Sequence, residues 1–236
     1  MRAVIVCVAL LASAVSAAAQ PAPPPPQEQG PIIVTVGTAT VQRPPDVAFV
    51  SIGVETRAKG PREAQQQNAT VMTAIVNRLG SLSIPANARR TLGLRLEQEY
   101  DMPGGRRVPR GFLARNVLEV RVDDLARAGE VADAAVQAGA TSIDGIRFDL
   151  KDRSAVEREA LRLAVADARA RAEAAAAGAG RSIDRIIRIE EGERVPTPRV
   201  VPMMTYARAT ADAATTVVEP GSIDVQARVT LTVVMK

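Results

Sequence analysis

The sequence predicts an α+β protein: a layered fold in which a mostly antiparallel or mixed sheet is covered by helices, in the order ββα-ββα-βα-ββ. Three observations carry that expectation. Segments that alternate apolar and polar residues recur along the chain, segments of helical period fall between them, and one stretch, Ser154 to Gly180, is a long alanine-rich helix. Strands arriving in pairs point to hairpins and so to antiparallel neighbours.

The first pair is IIVTVGTATV from Ile32 to Val41 and DVAFVSIGVET after QRPP, read as two strands joined by a proline-containing turn. Pro61 then opens a helix in which Ala64, Val71, Met72, Ile75 and Leu79 recur at helical spacing, closed by Gly80. Next come Leu92, Leu94 and Leu96 alternating with Arg95 and Glu97, and Phe112, Ala114, Asn116, Leu118, Val120 and Val122 in a second alternating run. Both read as half-buried strands, joined through the long hairpin loop YDMPGGRRVPRG. Asp123 or Asp124 caps a short helix with Leu125, Val131, Ala135 and Val136 inward, stopped by Gly139. A strand with Ile146, Phe148 and Leu150 leads to the long helix.

In that helix Ser154 and Glu157 read as a capping box, and Gly178 and Gly180 as the stop. One face carries Leu161, Ala164, Val165, Ala168, Ala172, Ala175 and Ala179, and Asp167 precedes Arg171 at i,i+4 spacing. A face this rich in alanine lets the helix backbone lie close to a flat partner, and the remaining segments read as a sheet against it. SIDRIIRIEE supplies one more strand. Residues 191–217 show no period and read as a long loop, and Ile223, Val225, Ala227, Val229, Leu231 and Val233 give the cleanest alternation in the chain.

Composition sets the compartment and narrows the chemistry. Arg2, an apolar run and Ala17 to Ala19 form a secretory signal peptide over 1–19, followed by a proline-rich linker over 20–30 and a domain over 31–236 that is one unit or two small halves. Cys7 is the one cysteine and lies in the signal, so export leaves a chain that relies on its core and not on disulfides. The chain has no histidine and no tryptophan. That removes the usual general base, the usual zinc ligand and the centre of a Ser-His-Asp triad. Neither a metal nor another cofactor is expected, and no enzyme activity. The pI near 9.8 reflects 30 basic against 26 acidic residues, a narrow excess. With only two Tyr and three Phe there is no stacking platform, so nucleic acid is not an expected partner.

Five features merit weighing. Arg106, Arg107 and Arg110 in the hairpin loop could meet a membrane surface or a partner's carboxylates, against the plainer reading of a solvated loop. Val156, Leu163 and Ala170 form a minor apolar stripe off the main face of the long helix, which a second chain would cover. Glu97, Glu99 and Asp101 lack calcium-loop spacing and read as a wet strand face, and Asn116 as a residue bonded to local backbone. Met203, Met204 and Tyr206 sit in the aperiodic loop, as an intersubunit strip or a loosely packed segment.

IIVTVGTATV, PDVAFVSIGVET, GFLARNVLEVRVDDL, QAGATSIDGIRFDL, EALRLAVADARARAEAAA and PGSIDVQARVTLTV, in this order, resemble the SIMPL domain family, which includes periplasmic immunogenic proteins of Gram-negative bacteria. The resemblance spans nearly the whole exported chain. Phe112 stands where such proteins often have Tyr, and the 191–217 loop is a further departure. The resemblance implies an envelope protein without established enzymatic activity, antigenic, homo-oligomeric and loosely tied to envelope or oxidative stress. It offers no catalytic residues. The expectation is therefore a periplasmic homo-oligomer working through its surfaces, with Arg106, Arg107, Arg110, Val156 and Leu163 as the candidate interaction surface. The alternative is a binding module for a small ligand or an envelope component.

Overall fold

A computed structural model describes residues 30–192 and 219–236. The signal segment, nearly all of the linker and of the 191–217 loop, and with it Met203, Met204 and Tyr206, lie outside the described residues. Within them, strands β1 (Ile32–Arg43), β2 (Val47–Ala58), β3 (Arg89–Asp101), β4 (Val108–Val122), β5 (Ser142–Asp149), β6 (Ile183–Glu191) and β7 (Ile223–Met235) are interspersed with helices α1 (Pro61–Ser81), α2 (Ala128–Gln137) and α3 (Arg153–Gly178). The fold is α+β and the element order is the expected one.

The sheet is not single, however. One antiparallel sheet runs β3-β4-β2-β5 and a second runs β1-β7-β6. The first two strands, read as neighbours, do not pair: β1 lies against β7 and β2 between β4 and β5. Pro44 and Pro45 explain this. Their fixed φ and the extended bias they place on the preceding residue carry the chain onward instead of turning it back. The crossing is fastened where the Asp46 amide donates to the Asp149 carbonyl at 3.2 Å and the Asp46 carboxylate accepts from the Lys151 amide at 2.7 Å.

The four-stranded sheet holds the large aliphatic core. Ala48, Val50, Ile52 and Val54 of β2 and Leu118, Val120 and Val122 of β4 alternate onto one face and meet Ile75 and Leu79 of α1 and Val131 of α2. Asn68, only 1% exposed, pins α1 down by donating its side-chain amide to the Val54 and Ala114 carbonyls at 2.9 and 3.1 Å. Val136, expected inward, is exposed on α2, and Ala128 and Ala132 are buried instead.

On the three-stranded sheet, α3 buries Ala160, Ala164, Ala168, Ala172 and Ala176, every fourth residue. This corrects the expected face: Ala175 and Ala179 are exposed, and Leu161 and Val165 only flank the contact. The cap is also different. Asp152, not Ser154, accepts the Ala155 amide at 2.8 Å, and Glu157 bonds Arg153. Arg153 therefore belongs to the first turn, which moves the cap two residues upstream of the Ser154 reading. At the other end Gly180 takes φ +69°, and the Arg181 and Gly180 amides return to the Ala176 and Ala177 carbonyls, a Schellman ending. The close approach expected of an alanine face is present. A Cβ on Gly37 of β1 would strike the Ala164 carbonyl and the Ala168 amide, and Thr35 donates its hydroxyl to the Ala168 carbonyl at 2.9 Å.

Candidate functional site

The hairpin of β3 and β4 gathers most of the residues that the sequence singled out. β3 is an edge strand, paired only with β4, and nearly every position in it is exposed. Leu92, Leu94 and Leu96, expected to be half-buried, are 50%, 54% and 43% exposed. The register explains where they point. Leu94 lies opposite Asn116 and Leu96 opposite the buried Ala114, so they occupy the helix-covered side of the sheet. Yet α1 runs over β2 and β4 and stops short of them. A helix about 10 Å wide covers about two strands spaced about 4.8 Å apart, and the next strand is left bare. The same arithmetic leaves Ile186 and Ile189 of β6 exposed, because α3 covers β1 and β7.

On the opposite side of the four-stranded sheet, charges pair into a ladder. Glu119 meets Arg90 at 2.6 Å and Arg147 at 3.8 Å, and Arg115 meets Glu55 at 3.4 Å and Asp144 at 3.3 Å. Glu99 meets Arg57 at 3.2 Å, which accounts for it as part of a wet face and not as a cation ligand. Among the described residues no group of three His, Cys, Asp or Glu side chains stands where it could hold a metal.

The arginine group sits at the hairpin's end, in a turn shorter than the sequence suggested because both strands extend into it. Arg106, Arg107 and Arg110 are all exposed. Arg107 lies over the Tyr100 ring at 3.7 Å and Arg110 meets Asp101 at 3.6 Å, so two of the three are engaged within the hairpin. The minor helix stripe divides. Leu163 is 41% exposed, but Val156 packs half-buried against Val41, Ala160 and Val225 and is not a free surface residue. The reason is that Val156 lies four residues before Ala160 and so continues the row of buried alanines that faces β1 and β7. Asn116 departs from its reading too: its side-chain oxygen is buried without a hydrogen-bond partner among the described residues, as is that of Asn68.

Shallow clefts also lie on the surface of the described residues. One of about 230 Å³ is lined by Arg57, Lys59, Glu99, Arg110 and Phe112, and one of about 270 Å³ by Phe49, Arg90, Glu119, Arg121 and Arg147. Both fall under the ~300–1,000 Å³ of usual small-molecule sites. No described helix is long and apolar enough to cross a membrane.

An α+β chain with two antiparallel sheets, each with its own helical cover and each ending in an edge strand whose apolar side is uncovered, is a protein whose described features lie on its surfaces. It belongs to the SIMPL family, described as "Protein of unknown function (DUF541)", whose model matches residues 33–233. It is 28% identical over 136 residues to "Uncharacterized protein YggE" of Escherichia coli K12, covering 58% of this chain and 55% of the relative, so the chain spans little more than half of that relative's length. It is 26% identical over 171 residues to the "26 kDa periplasmic immunogenic protein" of Brucella melitensis, covering 70% of this chain and 68% of the relative, and the protein of that name in Brucella abortus is as similar.

Proposed function

We propose that this is an exported, periplasmic, homo-oligomeric protein that acts by presenting surfaces and not by catalysis. The observation that carries the reading is the row Leu92, Leu94 and Leu96, three large apolar side chains about half exposed on an open strand edge. Apolar rows of this kind on an edge invite another chain. The periplasmic location is supported by the name of the Brucella relatives and by the signal peptide read over residues 1–19. The link to envelope or oxidative stress rests on family resemblance, and peroxide sensitivity of a deletion strain tests it.

The experiment for the main reading is solution mass, by light scattering after size exclusion, at two protein and two salt concentrations. A discrete multiple of the monomer mass is expected. A monomer throughout overturns the reading and moves the weight to a binding module, with the cleft beside Arg57 and Phe112 as the place to search.

A further inference from the structure

Resting on that homo-oligomeric reading, we infer that β3 pairs antiparallel with β3 of a second copy about a two-fold axis at Leu96, joining the two four-stranded sheets into one of eight. The argument begins with Arg95 and Glu97. Among the described residues neither makes an ion pair, although the charges around them on the same side of the sheet are paired: Arg90, Glu99, Arg115 and Glu119. Arg95 is worse than unpaired, because its neighbour across the ladder is Arg115. Like charges directly opposite destabilise a sheet. The remaining side of Arg95 is the open edge, where an acid is wanted.

A second copy of the strand supplies it. With the axis at Leu96, Arg95 of each copy faces Glu97 of the other, Leu96 faces its own counterpart, Leu94 faces Gln98 and Gly93 faces Glu99. Every pair keeps its side: leucines stay on the helix side and charges on the other. Moving the axis by one residue places Arg95 against Arg95 or Glu97 against Glu97. Placing it between residues puts a leucine opposite a charge, turning one sheet over. Opposite signs two positions apart are self-complementary only about the residue between them, and a two-fold contact demands that self-complementarity.

The backbone sets the length of the contact. The ladder between β3 and β4 is irregular between Thr91 and Gly93 and again between Glu99 and Tyr100, leaving Gly93 to Glu99 as a regular stretch. A Cβ on Gly93 would meet nothing within 4 Å, so the space at that position is open to the facing Glu99. The usual guards of a bare edge are proline or charges pointing inward. Here the inward positions hold Leu94 and Leu96, and the charges outside match those of a copy.

Charge exchange tests the pairing on exposed positions. Arg95→Glu would set two acids facing across the axis, and the solution mass should fall to about half that of the parent protein. Glu97→Arg should do the same, and the double exchange Arg95→Glu with Glu97→Arg should restore the parent mass. Circular dichroism of each variant should match the parent. In a Cys7→Ser background, Leu96→Cys should give a disulfide-linked dimer on mild oxidation, whereas Leu92→Cys, which lies off the axis, should not. A parent oligomer indifferent to both single exchanges, or equal cross-linking at the two positions, overturns this pairing and leaves the oligomeric reading standing. A monomeric parent overturns both.

Discussion

Over β2 and β4 the helices bury Ile75, Leu79 and Val131 among Val50, Ile52, Leu118 and Val120, whereas over β1 and β7 the single helix α3 offers five alanines. The first layer derives its stability from side-chain volume. Each large aliphatic group removed from water contributes on the order of 1.5–3 kcal/mol. The second has little volume to bury and relies on nearness: Gly37 lets the helix backbone settle on the strand, and hydrogen bonds then cross between the elements. Thr35 donates to the Ala168 carbonyl, and the Thr38 amide donates to the Asp167 carboxylate at 2.9 Å. A volume-filled layer is sensitive to what is taken out of it, and a contact layer to what is put in.

The largest effect expected from that contrast is the removal of volume from the first layer. Ile75→Ala should cost about 2–5 kcal/mol in urea unfolding, the usual range for a fully buried isoleucine. Ala168→Gly takes one carbon from the second layer where Ile75→Ala takes three from the first, and should cost only about 1 kcal/mol, mainly through helix propensity. Equal losses would break the comparison.

Addition should act the other way. Gly37→Ala drives a Cβ into the α3 backbone and should cost about 1–3 kcal/mol in the same measurement, while Gly93→Ala, which meets open space, should be near neutral. Next in size is the corrected cap. Asp152→Ala should cost about 1 kcal/mol, and Ser154→Ala, at a position within the helix, well under that.

The smallest effect is present near neutral pH and lost in acid. The Thr38 amide, and after it Arg171, hold the Asp167 carboxyl below the usual carboxylate range. A carboxyl whose pKa is lowered by folding stabilises the protein above its unfolded pKa, and that contribution fades as pH falls through the folded value. Asp167→Asn should therefore lower Tm modestly near neutral pH. The gap from the parent should close in acid, below the ordinary carboxylate range. A gap that is constant with pH would remove the charge from the account of this contact.

The difference between the layers also explains what could be read from the residues. Alternation in β4 and β7 and the helical period in α1 were plain, because each reports which side of one element is apolar. Leu92, Leu94 and Leu96 carry the same signal, read as half-burial, yet all three are exposed. Whether a helix reaches over that side depends on how far α1 lies from the third strand, and no local pattern records it. Val156 failed in the opposite sense: off the expected face by helical angle, it is half-buried because it continues the every-fourth row of buried alanines one step before Ala160. Asp152 could have been found, since an Asp just before a segment of helical period is as good a cap signal as Ser154. Arg95 and Glu97 were visible as an alternating pair, but that they lack partners follows only from the ladder with β4.

By itself the sequence determined the α+β class, the order of the strands and helices, the alanine face that permits close packing, and the family, because these depend on short-range periodicity and on local residue types. Tertiary structure alone decided that the strands divide into two sheets, that β1 seeks β7 near the other end of the chain, and that β3 and β6 stand bare. Those outcomes depend on which strands meet across long separations and on how wide a helix is relative to the sheet beneath it. A single strand's residues carry no record of either.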